Sequence, residues 1–191
     1  MNVDATSQSA RPLRADARRN RERILAAARV VFAHQGGEAQ IDDIARAAGV
    51  GVGTVYRHFP HKDALLGELV SQKFRGFADN AERALDVDDP WEAFAGLLRT
   101  NAESCAGDVG VAQALARGPE AWAFAADDLD RLRDTTSRLI ARAQDAGVMR
   151  RDFGVDDIPM LMCGLSSTMG VPGYDWRRHL EIIISGLRAA A

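Results

Sequence analysis

The stretch from Ile41 to Phe59, IDDIARAAGVGVGTVYRHF, constrains this chain more than any other. Its apolar residues fall into two short helical registers on either side of a glycine. Ile41, Ile44, Ala45 and Ala48 stand at i, i+3, i+4 and i+7, one face of a helix. Gly49 stops that register, because a residue free to take positive φ suits a helix C-terminus. Val50 is expected as the buried turn residue. Val52, Val55, Tyr56 and Phe59 repeat the spacing and predict a second apolar face. By subtraction, Gly53, Thr54, Arg57 and His58 point outward. Two short helices joined by a tight turn containing Gly form a helix-turn-helix. In that arrangement the second helix enters a DNA major groove, N-terminal residues leading.

Charge supports a polyanion partner for this part of the chain only. The net charge is −3 over 191 residues, but residues 1–62 carry ten Lys/Arg against six Asp/Glu, whereas residues 63–191 carry fourteen against twenty-one. A basic third on an acidic remainder points to nucleic acid at the N-terminal end. No run approaches the roughly 18 apolar residues of a membrane helix, and the first twenty residues lack the apolar core of a secretory signal. Cys105 and Cys163 lie 58 positions apart in apolar helical patterns, neither a metal spacing nor a disulfide framework. A soluble, cytoplasmic protein with no membrane partner is the expectation.

Residues 1–15 are polar, with Arg11 and Arg14, and read as a disordered basic arm. Such an arm either follows a phosphate backbone, together with Arg18 and Arg19, or merely solubilises the chain. Asp16 is a plausible N-cap for a first helix that runs to about His34 and ends at Gly36-Gly37. Residues 16–62 then form the DNA-binding unit, with its motif at 40–59. A long pattern through Leu65, Leu69, Phe74 and Phe77 predicts a helix over about 61–84, long enough to reach into a second domain. Asp89-Pro90-Trp91-Glu92 looks like a capping box with Pro at the first helical position, opening a helix to about Cys105. Further helices are expected at VAQALAR (residues 111–117), from Asp127 or Asp128 to Ala146, from Asp156 or Asp157 to Met169, and from Trp176 to Ala189. With no sustained strand alternation, the fold class is all-α, about nine helices, with residues 63–191 as a second, acidic helical domain.

The residues from Arg21 to Leu69 resemble the TetR family of bacterial one-component transcriptional regulators. The likeness rests on Ile41-x-x-Ile44-Ala45-x-x-Ala48-Gly49-Val50, followed by Gly53-Thr54-x-Tyr56-x-x-Phe59-x-x-Lys62-x-x-Leu65. The resemblance implies a homodimer on a palindromic operator in double-stranded DNA, most simply a repressor released by a small-molecule inducer, with residues 63–191 as its effector-binding and dimerisation domain. Carried over by position, Thr54 and Tyr56 give hydroxyls to phosphates and Lys62 gives a charged phosphate contact. Gly53 allows close backbone approach, and Arg57 and His58 face base edges, where an Arg fork can pair with guanine O6 and N7. Gln40 stands where the family usually has Ser or Thr as a helix N-cap that also touches phosphate, Gly51 where it usually has Ser or Thr capping the recognition helix, and Val52 completes the DNA-facing set.

Other constellations in the chain lack the spacing that further chemistry would need. Gly49 to Gly53 alternates glycines, but the third glycine of a dinucleotide loop falls at Thr54 and a helix precedes it instead of a strand. His58 and His61 lack partners at metal-ligand spacing, and there is neither a di-iron Glu-x-x-His nor a nucleophile elbow. No enzyme, metal or cofactor is expected. Phe74, Phe77, Phe94, Leu97 and Asn101 are candidates for an apolar inducer cavity, as are Cys105, Trp122, Phe124 and Met162. Trp91, Met160 and Glu103 are further candidates for the same cavity, and ordinary core is the alternative for the apolar ones. Ile158, Leu161, Leu165 and Met169, with Leu180, Ile183, Ile184 and Leu187, form wide apolar faces suited either to an isologous dimer interface or to the monomer core. An all-α carrier whose helix-turn-helix is purely structural is the competing function.

Overall fold

The computed structural model describes residues 7–108, 123–169 and 171–189, and among them eight α-helices and three short 3-10 turns. The fold class is all-α as expected. The described residues form no strand, only a backbone bridge between Met149 and Arg188. None of the described helices is long and apolar enough to cross a membrane. The chain divides into two compact units between Leu66 and Gly67.

The first unit holds α1 (Ser7–Gln35), α2 (Ile41–Ala48), α3 (Val52–His58) and the first turn of α4 (Lys62–Ala84). Ile24, Leu25, Ala28, Val31 and Phe32 of α1 form a buried stripe, and Ile41, Ile44, Ala45 and Ala48 of α2 are buried as their spacing predicts. Helix α1 begins at Ser7, well before Asp16, so most of the expected disordered arm is helical. Ala10, Leu13 and Ala15 have high helix propensity, and continuing an existing helix needs no new nucleus. Residues 1–6 lie outside the described residues.

Gly49 ends α2 at φ 63°, and its N–H and that of Val50 donate back to Arg46 O at 3.2 Å and Ala45 O at 3.1 Å. Val50 is half-buried, not buried. In α3 the expected apolar face is narrower than its spacing suggested. Val55 and Phe59 are buried, but Val52 and Tyr56 stand exposed. A seven-residue helix has room for only one buried line, and Val52 and Tyr56, four apart, lie on the adjacent one.

The second unit holds the rest of α4 with α5 (Pro90–Ala106), α6 (Ala126–Asp145), α7 (Ile158–Thr168) and α8 (Trp176–Gly186). Asp89 caps α5: its Oδ1 accepts from Trp91 N at 2.8 Å and Glu92 N at 2.9 Å. The reciprocal half of the capping box is replaced, because Glu92 Oε2 pairs with Arg99 at 3.2 Å. Asp127 and Asp128 sit in the first turn of α6 without capping it, where the helix dipole favours carboxylates. The helix expected at 111–117 lies outside the described residues. Helix α8 stops at Gly186, short of Ala189. Residues beyond it pair with the chain after α6 instead: Arg150 N donates to Leu187 O and Ala189 N to Val148 O, each at 3.1 Å. This exchange buries Leu187 and sets the Arg188 guanidinium 4.2 Å from the Trp91 ring centre. At the centre of this unit Phe94 is fully buried, edge-on to Phe153 at 5.8 Å.

Candidate nucleic-acid interface and ligand cavity

The surface of α3 is built by what its neighbours hide. Val55 and Phe59 anchor the helix inward, and the Arg21 guanidinium lies 5.3 Å from the Phe59 ring centre. Arg23 Nη2 donates to Gly49 O at 3.3 Å and so braces the turn that aims α3. Facing outward are Val52, Gly53, Tyr56 and Arg57, with Thr54 and His58 half-exposed. Gly51 is the N-cap in extended geometry (φ −70°, ψ 146°) and offers no side chain to the cap. Its carbonyl accepts from Thr54 N at 2.8 Å. A Cβ on Gly53 would meet nothing within 4 Å, so the open space there belongs to whatever approaches α3.

Gln40, Tyr56 and Lys62 border one open depression beside α3, together with Asp42, Asp43 and His61. Gln40 is the N-cap of α2 yet makes no cap bond; its Nε2 donates to Glu38 O at 2.8 Å. His61 has a structural role that its spacing did not announce. Its Nδ1 accepts from Ala64 N at 3.0 Å, which caps the start of α4 next to Lys62. The structure therefore gathers Gln40, Tyr56 and Lys62, and separately exposes Arg57 on α3.

The second unit holds a partly open cavity of about 140 Å³ between α4, α5, α6 and α7. Phe74, Phe77, Leu97, Asn101, Cys105 and Met162 line it. Phe94 does not, being packed into the core against Phe153. Trp122 lies outside the described residues, as does the side chain of Phe124. Glu103 is exposed and held by Arg177 (Nε to Oε1, 2.6 Å), while Met160 is exposed and Trp91 lies under Arg188. Sequence reasoning missed Leu129, Leu132 and Thr136 of α6, and Pro159, Cys163 and Ser166 of α7. One signal was available: Thr136 is the single hydroxyl in the stripe Leu129, Leu132, Thr136, Leu139, Ile140. Burial pushes the Cys105 thiol up to about 11, so it is protonated at neutral pH.

Several residues proposed for a subunit interface are core in a single chain. Leu165, Met169, Leu180, Ile184 and Leu187 are buried there, and Ile158 faces the cavity. Atoms already removed from water gain nothing from a partner. Leu161 and Ile183 remain half-exposed, and the large apolar side chains left on the surface of α7 and α8 are Met160, 73% exposed, and Ile182, 61% exposed.

A short helical pair with an exposed second helix, followed by a separate helical unit around an apolar cavity, is the architecture of a helix-turn-helix regulator with a second helical domain. The family model described as Bacterial regulatory proteins, tetR family, matches residues 24–69, and one described as Transcriptional regulator SbtR-like, C-terminal domain, matches residues 89–189. This chain belongs to the TetR family of transcriptional regulators. The crystal structure of a TetR transcription regulatory protein from Mycobacterium vanbaalenii is 37% identical, with 93% of this chain and 100% of that one covered and a TM-score of 0.64. A TetR transcriptional regulator from Streptomyces coelicolor is 31% identical, over 90% of this chain and 99% of that one, with a TM-score of 0.62. The curated HTH-type transcriptional regulator SrpR of Pseudomonas putida is 38% identical over 85 residues, 44% of this chain and 40% of that protein. The match thus spans less than half of that relative's length.

Proposed function

We propose that this chain is a ligand-responsive repressor that binds a palindromic operator as a homodimer in the cytoplasm and is released by a small, largely apolar inducer. The observation that carries the reading is α4. This one helix starts at Lys62, beside the α3 surface, and carries Phe74 and Phe77 on the cavity wall. A ligand that displaces those two aromatics acts on the helix that begins at the DNA-facing residues. Two heads must sit about 34–36 Å apart to occupy successive major grooves. An inducer that favours another separation weakens DNA binding, and by linkage DNA weakens the inducer by the same factor. Met160 and Ile182, with Leu161 and Ile183, supply the subunit contact in this reading.

Gln40, Thr54, Tyr56 and Lys62 are assigned to phosphates, Arg57 and His58 to base edges, and Gly51, Val52 and Gly53 to close approach. Mobility shift with the DNA upstream of the protein's own gene tests the regulator reading against an all-α carrier. Sequence-specific binding is expected, and its absence at every salt concentration would sink the regulator. Arg57→Ala should relax sequence preference. Lys62→Ala should weaken binding to all sequences and flatten the salt slope by about one. Equal loss from both would contradict the role assignment.

A further inference from the structure

A chain of amides reaches the cavity of the second unit, and its direction is set at the protein surface. Asn101 interrupts the apolar register Phe94, Leu97, Leu98, Cys105 of α5, lines the cavity and is only 8% exposed. Asn80 Nδ2 donates to Asn101 Oδ1 at 2.8 Å, and Arg83 Nη2 donates to Asn80 Oδ1. Asn80 and Arg83 stand one turn apart on α4, and Arg83 is exposed. A guanidinium has donors and no acceptor, so it can meet only the oxygen of Asn80. The Asn80 amino group is thereby turned towards Asn101, where only the oxygen can receive it. One cation thus orders two amides, each of which could otherwise present either end.

The end of Asn101 that remains is Nδ2. It has no acceptor among the described residues and is not sealed in the core, so it keeps surface that a molecule in the cavity can touch. Whatever displaces water from such a donor must accept its hydrogen bond or leave it unmade, and an unmade bond in a buried site is costly. The donor is also stronger than that of a lone amide. Each hydrogen bond in a chain polarises the next, and this chain begins at a cation. Around it the neighbours Phe74, Phe77 and Leu97 offer no competing acceptor. In a largely apolar site, a single oriented donor of this kind fixes how a ligand lies.

We propose that Asn101 Nδ2 is the polar anchor of this cavity and donates to a carbonyl-type oxygen of the ligand, with Asn80 and Arg83 as positioning residues that keep the amide facing that way. The proposal rests on the ligand-responsive reading and names the chemical class of its ligand, a molecule that brings an acceptor oxygen into an apolar site.

The test is calorimetry and thermal unfolding on the full chain without DNA, with acetophenone and α-methylstyrene as probes. The two have nearly the same shape, but the first carries a carbonyl oxygen where the second carries a methylene. Acetophenone should bind and raise the unfolding temperature. The readout is the ratio of the two affinities, which cancels any general change in the cavity. Asn101→Leu should lower the ketone-to-alkene ratio about three- to tenfold. Arg83→Met lies on the surface, where substitutions leave folding nearly intact, and should lower the same ratio about twofold by releasing the amides. Arg83→Lys, which also only donates, should keep the ratio closer to that of the parent. Absence of acetophenone binding would overturn the proposal, and so would a parental ratio in either Asn101→Leu or Arg83→Met. Should Asn101→Leu fail to fold, Arg83→Met decides alone. These measurements use no DNA, so failure of the mobility shift would remove the regulator reading while leaving the anchor standing.

Discussion

At the scale of single residues, the turn between α2 and α3 depends on Gly49 twice over. Its φ of 63° is left-handed, and a Cβ there would lie 2.8 Å from Arg23 Nη2, the same group that braces the turn through Gly49 O. Gly49→Ala should therefore destabilise the first unit by about 1–2 kcal/mol from backbone strain, with a further loss if Arg23 is displaced. A drop in the urea midpoint checks it, and an unchanged midpoint would show that the turn relaxes. The opposite sign is expected at Gln40, which occupies an N-cap in extended geometry without making a cap bond. Gln40→Ser should raise stability by about 0.5–1 kcal/mol, again read from the denaturation midpoint. Both positions were legible in the sequence, because glycine after an apolar register and a missing cap hydroxyl are local signals. Leu129 and Leu132 were not legible as cavity residues, since an apolar stripe on one helix borders a space only where three other helices leave it.

At the scale of elements, burial followed the apolar spacing throughout α2 and at Val55 and Phe59, though not at Val52 and Tyr56, and the Asp89 cap followed from four residues of sequence. What failed was the assignment of faces where a helix has more than one neighbour. Helices α7 and α8 each carry apolar residues around much of their circumference, so periodicity could not separate the core side (Leu165, Leu180, Ile184) from the cavity side (Ile158, Met162) or the surface (Met160, Ile182). Long-range ion pairs were equally hidden. Arg99 of α5 meets Glu181 of α8 through Nε to Oε1 at 2.7 Å and Nη2 to Oε2 at 3.0 Å. The Arg99 hydrogen bonds hold the Glu181 carboxyl below the usual carboxylate range. A depressed carboxyl contributes stability above its unfolded pKa, near 4.3, and loses it as pH falls through the folded value. Glu181→Gln should thus be less stable than the parent at pH 7 and indistinguishable from it well below pH 4. Urea midpoints across that range check the sign. The pair is largely exposed, so the effect is small. A deficit that persisted at the acid end would assign the loss to packing instead.

At the scale of the whole molecule, the proposed switch needs two copies, because one seven-residue recognition helix reads only half of a palindrome. Met160 and Ile182 are the large apolar side chains that α7 and α8 leave in water. In a monomer, Ile182→Asp touches nothing buried and should leave the unfolding temperature of a dilute sample nearly unchanged. In a symmetric dimer the same substitution places a carboxylate on each copy in an apolar contact, which costs several kcal/mol for unpaired buried charge. Sedimentation should then show the parent as a dimer and Ile182→Asp as a monomer of unaltered helicity. Operator affinity should fall steeply with the dimer, because each half-site is then bound without the other. A variant that stayed dimeric would move the interface away from this surface, and one that became monomeric yet held the operator as tightly would break the link between pairing and DNA reading.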